Sequence, residues 1–158
     1  MFHETDSSVD EALITTKLSK LRQYQKYLKK LQASTIEEFA SDFKAIGAAE
    51  RYLQVAIECV IDIGNEIISS LQLQRPERYR DIPYILSKAK IIPKTFAETV
   101  ASMIGFRNLL VHDYASINLN LVYEFLQTKL QGFENFAKYI AKWIKKGKHS
   151  YNAAASIG

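Results

Sequence analysis

The chain has 158 residues, 47% hydrophobic and 24% charged, a balance that fits one globular domain with a sizeable core. Its single cysteine, Cys59, excludes an internal disulfide and a cysteine-based zinc cluster, and no apolar run reaches the length of a membrane span. The formal charge of +4 permits a phosphate-bearing partner without naming one, because clustering of the charges decides.

Residues 1–9 read as a flexible N-terminus. The acidic, polar HETDSSVDE is unlike a signal peptide, so a reducing, cytoplasmic setting is expected. A first helix is expected from Ser8 or Asp10 to about Ala33. Ile14, Leu18, Leu21, Tyr24, Leu28 and Leu31 recur at three- and four-residue steps along it and form one stripe. Lys17, Lys20, Arg22, Lys26, Lys29 and Lys30 lie between them, either as a solvated face or as a phosphate-facing surface. Thr35 and Glu38 have the spacing of a capping box, which opens a short helix reaching Ser41-Asp42.

A long helix then runs to about Leu73. Phe43, Ile46, Leu53, Ile57, Val60, Ile61, Ile67, Ile68 and Leu71 make it the most buried of all. Cys59 fits there as a small apolar residue. Asp62, Asn65 and Glu66 interrupt the apolar surface, and buried polar groups need partners or a site to line. Pro76 and Pro83 bracket a connection, QRPERYRDIP, that carries Arg75, Arg78 and Arg80. Tyr84 to Ala89 forms a short helix, and Pro93 suits the first turn of the next. Phe96, Val100, Met103, Ile104 and Leu110 line that helix, which delivers Arg107 and His112 near its end. Asp113 to Asn118 reads as a loop, Leu119 to Lys146 as one last helix, and 147–158 as a flexible tail. The whole is predicted to be all-α, an antiparallel bundle of four to five main helices spanning residues 10–146.

The chemistry concentrates in IGFRNLLVHDY, residues 104–114. A guanidinium and an imidazole beside Leu109, Leu110 and Val111 are costly unless each has a partner or a substrate. On a continuous helix Arg107 and His112 are about 500° apart in rotation, which leaves them about 140° apart around the axis. One reading is structural, with Arg107 bridging to a neighbouring helix and His112 closing its own helix end. The other is catalytic: histidine supplies acid–base transfer near neutral pH and arginine stabilises charge on phosphoryl oxygens. Asn108 stands beside Arg107, and Asp62 or Asn65 could orient the pair from a facing helix. His3, His112 and His149 are too dispersed for a metal site. The sequence has no HExxH, no phosphate-binding glycine loop, no GxSxG and no helix-turn-helix signature that would point to DNA.

The segment GFRNLLVHDY resembles the R-x4-H-x-Y signature of the HepT-like toxins of the HEPN superfamily, with Arg107, His112 and Tyr114 at its three positions. ERYLQVAIECVIDIGNEII is similar to the family's long second helix, and RYRDIPYILSKAKIIP to its central loop and short helix. INLNLVYEFLQTKLQGFENFAKYI is similar to its last helix.

The resemblance implies a two-fold homodimer in which Arg107 and His112 of both subunits meet at a cleft and cut RNA without a metal. It implies the toxin of a type VII toxin–antitoxin system, neutralised when an MNT-type nucleotidyltransferase antitoxin moves AMP from ATP onto Tyr114. No cofactor of the toxin's own, no membrane partner and no DNA partner are implied. Arg75, Arg78 and Arg80 would extend the RNA track. The competing reading is a non-catalytic HEPN module that binds RNA or a nucleotide and partners a nucleotidyltransferase.

Overall fold

The computed structural model describes residues 9–112 and 118–157, excepting the side chains of 148–157. Among the described residues are seven α-helices and one 3-10 turn, with no strand. Helix α1 (Glu11–Gln32) starts where Asp10 accepts a hydrogen bond from the Leu13 N–H at 3.0 Å. Its expected stripe faces inward, with Ile14, Leu18, Leu21 and Leu28 buried and Tyr24 and Leu31 packed at the edge. Helix α2 (Ile36–Ala40) has both bonds of the capping box. The Glu38 N–H donates to Thr35 Oγ1 at 3.1 Å and the Thr35 N–H to Glu38 Oε1 at 2.9 Å. These bonds from Thr35 hold the Glu38 carboxyl below its usual range.

Helix α3 (Phe43–Ser70) is the axis of the fold, and its residues from Leu53 to Ile68 are buried on most sides. Two apolar positions depart from expectation. Phe43 is 79% exposed because it is the first helical residue, where the chain is still turning out of α2. Leu71, also exposed, is the C-cap. The helix stops short of Leu73 because Gln72 adopts a left-handed backbone (φ 53°) and the Leu73 N–H bonds back to the Ile68 carbonyl at 2.9 Å.

The 3-10 turn Tyr79–Asp81 leads directly into α4 (Ile82–Lys88), which ends by the same kind of left-handed step at Lys90. Helix α5 (Lys94–Val111) follows, with His112 as its C-cap. The single last helix predicted from Leu119 is in fact two, α6 (Leu119–Thr128) and α7 (Gln131–Ile157). Lys129 leaves the helical region at φ −121°, Leu130 turns into the core, and Gly132 brings bare backbone against Met103 of α5. A Cβ at Gly132 would collide with the Met103 sulfur, so the break lets α7 approach α5 closely.

The backbone is also helical through Ile157, although a flexible tail is expected from residue 147. Ala153, Ala154 and Ala155 are the strongest helix formers and offset the cost of about 1 kcal/mol for Gly147 inside a helix.

Helix α1 lies along α3, α5 packs against α3 and α4, and α7 closes on α1 and α5. Phe39, Phe125, Phe133 and Phe136 fill the centre, and the Phe125 ring packs at a tilt on the Phe106 ring of α5, centroids 4.8 Å apart. This packing fixes the helix that carries Arg107. No helix among the described residues is long and apolar enough to cross a membrane.

Candidate functional site

Arg107 sits on the face of α5 that crosses α3. Its Nη2 is 3.5 Å from Glu58 Oε2, and Gln54 Nε2 donates to the same carboxylate oxygen at 3.3 Å. The guanidinium carbon lies 5.1 Å from the centroid of the Tyr79 ring, within reach of a cation–π contact. Its Nε is enclosed with no hydrogen-bond acceptor among the described residues. The head is therefore held by a charge on one side and an aromatic ring on another, while donors remain for a ligand. A guanidinium presents five N–H groups in a rigid fork that matches phosphate oxygens, so this group is placed to clamp one.

Arg107 forms one wall of an open groove of about 850 Å³ between α3, α5 and the connection that follows α3. Asn65 of α3, Asn108 of α5 and the connection's Arg75, Arg78, Tyr79 and Arg80 line it too. The connection is ordered locally, because Asp81 accepts from the Glu77 N–H at 3.1 Å and the Arg78 N–H at 3.0 Å. The stem and head of Arg80 lie against Gly105, 3.4 to 3.5 Å from where a Cβ would stand. Four arginines and one glutamate, Glu77, line the groove, a net positive surface of the kind that attracts a polyanion.

His112 ends the helix that carries Arg107. Its backbone N–H bonds the Asn108 carbonyl at 3.1 Å and closes the last turn, and its side chain is exposed. It is not among the residues that line the groove. Tyr114 lies outside the described residues. The groove thus collects Arg107, Asn108, Asn65, Arg75, Arg78 and Arg80. Asp62 is not among them. It faces α1 and pairs with Lys17 at 3.0 Å, and that hydrogen bond raises the Lys17 pKa.

The sequence model of the family described as Ribonuclease HepT-like matches residues 14–140. The chain belongs to the HepT-like ribonuclease family. It is 27% identical over 138 residues to the tRNA nuclease HepT of Aphanizomenon flos-aquae, covering 87% of this chain and 94% of that one. It is 34% identical over 103 residues to the mRNA nuclease HepT of Shewanella oneidensis, covering 65% of this chain and 77% of that one. Its fold superposes with a TM-score of 0.75 on a tri-AMPylated HEPN toxin of Shewanella oneidensis solved in complex with MNT antitoxin. That match has 29% identity and covers 82% of this chain and 97% of the other.

In this HepT-like chain the basic run of α1 is divided. Lys17 is engaged by Asp62 and Lys29 lies 4.0 Å from Glu134, while Lys20, Arg22, Lys26 and Lys30 are exposed. None of these side chains lines the groove. Cys59 is buried, and burial pushes its thiol up, away from the thiolate that nucleophilic chemistry needs. Among the described residues no cluster of His, Cys, Asp or Glu is arranged to hold a metal ion.

Two residues that matter here, Glu58 and Tyr79, are not evident from the sequence. Glu58 stands seven residues before Asn65, two helical turns along one face, which is the periodic signal that could have found it. Tyr79 is the aromatic within the arginine-bearing connection, and its neighbour on α5 emerges only from the tertiary packing.

Proposed function

We propose that this chain is the ribonuclease toxin of a toxin–antitoxin pair, cutting RNA in the cytoplasm with Arg107 and His112. The observation that carries this reading is the seating of Arg107. A guanidinium held by Glu58 and Tyr79 in a groove with three further arginines is built to grip a phosphate, in a chain of a ribonuclease family.

His112 acts as the acid–base residue. It takes the proton from a ribose 2′-OH as that oxygen attacks the adjacent phosphorus, and a proton is returned to the departing 5′-oxygen. Arg107 neutralises the charge that builds on the phosphoryl oxygens. The products are a 2′,3′-cyclic phosphate and a 5′-hydroxyl. Asn108 and Asn65 steady the phosphate from the groove walls, and Arg75, Arg78 and Arg80 hold the flanking strand. Because His112 does not line the groove of its own copy, a two-fold dimer is the natural way to complete the site, each subunit presenting its helix end to the other's arginines.

Neutralisation follows from the same chemistry. An MNT-type nucleotidyltransferase places AMP from ATP on Tyr114, two residues from His112, where bulk and negative charge exclude an RNA phosphate. The partner assignment draws on the complex of the Shewanella HEPN toxin with MNT antitoxin. Incubating the purified chain with such a nucleotidyltransferase and ATP is expected to add one or more AMP masses and to stop RNA cleavage. Tyr114→Phe is expected to show no mass gain and to keep cutting in the partner's presence. Intact-mass spectrometry decides it: an unchanged mass gain in Tyr114→Phe would move the modification elsewhere.

A further inference from the structure

We propose that Tyr79 is a base-stacking platform that selects an unpaired nucleotide beside the phosphate gripped by Arg107. The proposal rests on the ribonuclease reading and narrows its substrate class to single-stranded RNA. Tyr79 is 48% exposed and lines the groove that also holds Arg75, Arg78, Arg80 and Arg107. An exposed aromatic among guanidinium groups is the combination that binds single-stranded nucleic acid, because cations follow the backbone while every base has a face to stack.

The ring is also preordered. It sits at the start of the 3-10 turn, whose Asp81 is tied to the Glu77 and Arg78 backbone, and the chain then plunges into buried Ile82 and Pro83. The Arg107 guanidinium lies over one face of the ring at 5.1 Å, so a base stacks on the opposite face, with the fork on the far side of the same ring. A base in a duplex is already stacked and paired and cannot reach such a ring without being extruded. Discrimination between unpaired and paired RNA is therefore built into the same ring that seats the arginine.

The test uses the full chain and strands with 2′-fluoro sugars, which lack the attacking 2′-OH and report binding alone. Fluorescence anisotropy would compare a base-bearing single strand, the same strand made abasic at its central positions, and a blunt duplex of the same sequence. Wild type is expected to prefer the base-bearing single strand over the other two. Tyr79→Leu is expected to weaken that strand by about 10-fold and to weaken the abasic strand far less, while Tyr79→Phe keeps wild-type binding.

An equal loss on base-bearing and abasic strands would reduce Tyr79 to a support for Arg107 and overturn the proposal. So would no loss, or no binding of the single strand by wild type. Thermal melting of each variant guards against misfolding. Cleavage of natural RNA is scored separately. Binding that depends on Tyr79 without cutting would sink the nuclease reading and leave the platform standing; cutting that ignores Tyr79 would do the reverse.

Discussion

His112→Ala is expected to slow RNA cleavage by about 100- to 10,000-fold, the range over which a positioned acid–base group contributes. Arg107→Ala is expected to slow it by about 100- to 1,000-fold, the effect of removing one donor to a developing oxyanion. The two variants differ in their consequences for the fold. The last turn of α5 is closed by the backbone N–H of residue 112, so alanine keeps that bond and the helix end should be preserved. Arg107→Ala instead strips Glu58 of its cation and uncovers one neighbour of Tyr79, so some stability should be lost with the activity. Arg107→Lys separates the effects: it restores a charge near Glu58 but not the planar fork, and should recover stability more than cleavage. Gel assays of initial rate on one RNA, paired with thermal melts, read out all three.

Gly64→Ala is expected to lower stability by about 1–3 kcal/mol, the usual cost of overpacking. A Cβ there would run into Cγ2 of Ile82, a fully buried, β-branched side chain that cannot swing aside. Ile82 must then move, and it directly follows the turn that carries Tyr79 and Arg80. RNA binding should weaken along with stability, although Gly64 lies within α3 and does not line the groove. Gly47→Ala is the contrast. Nothing stands within 4 Å of its Cβ position, and replacing a mid-helix glycine should stabilise by about 0.5–1 kcal/mol. Urea unfolding of both variants gives the two signs.

The helices were legible because their signals are local. The stripe of α1, the capping box at Thr35 and the proline at residue 93 each lie within a turn or two of what they specify. What escaped has non-local causes. Gln72 and Lys90 take left-handed backbones without a glycine to announce them, so the end of α3 read three residues too long. The break at Lys129 exists to bring Gly132 against Met103, a contact no window of sequence contains.

The site divides along the same line. Arg107, Asn108, Asn65 and the three arginines of the connection were named from sequence and share one groove. Asp62 was grouped with them because it interrupts the same buried helix, but it points to Lys17 of α1. Glu58 has no cationic partner within a turn of it in the sequence. Its role became visible only when α5 laid Arg107 across it.

The central claim is that Arg107 and His112 transfer a phosphoryl group within RNA by using the ribose 2′-oxygen as nucleophile. The most direct test is the chemistry of the cut ends. Purified, unmodified wild-type protein would be incubated with a defined RNA in excess EDTA, and the fragments analysed by mass. Cleavage is expected to persist in EDTA and to leave 2′,3′-cyclic phosphate and 5′-hydroxyl termini. Loss of cutting on chelation, or fragments bearing 5′-phosphates and 3′-hydroxyls, would contradict the claim.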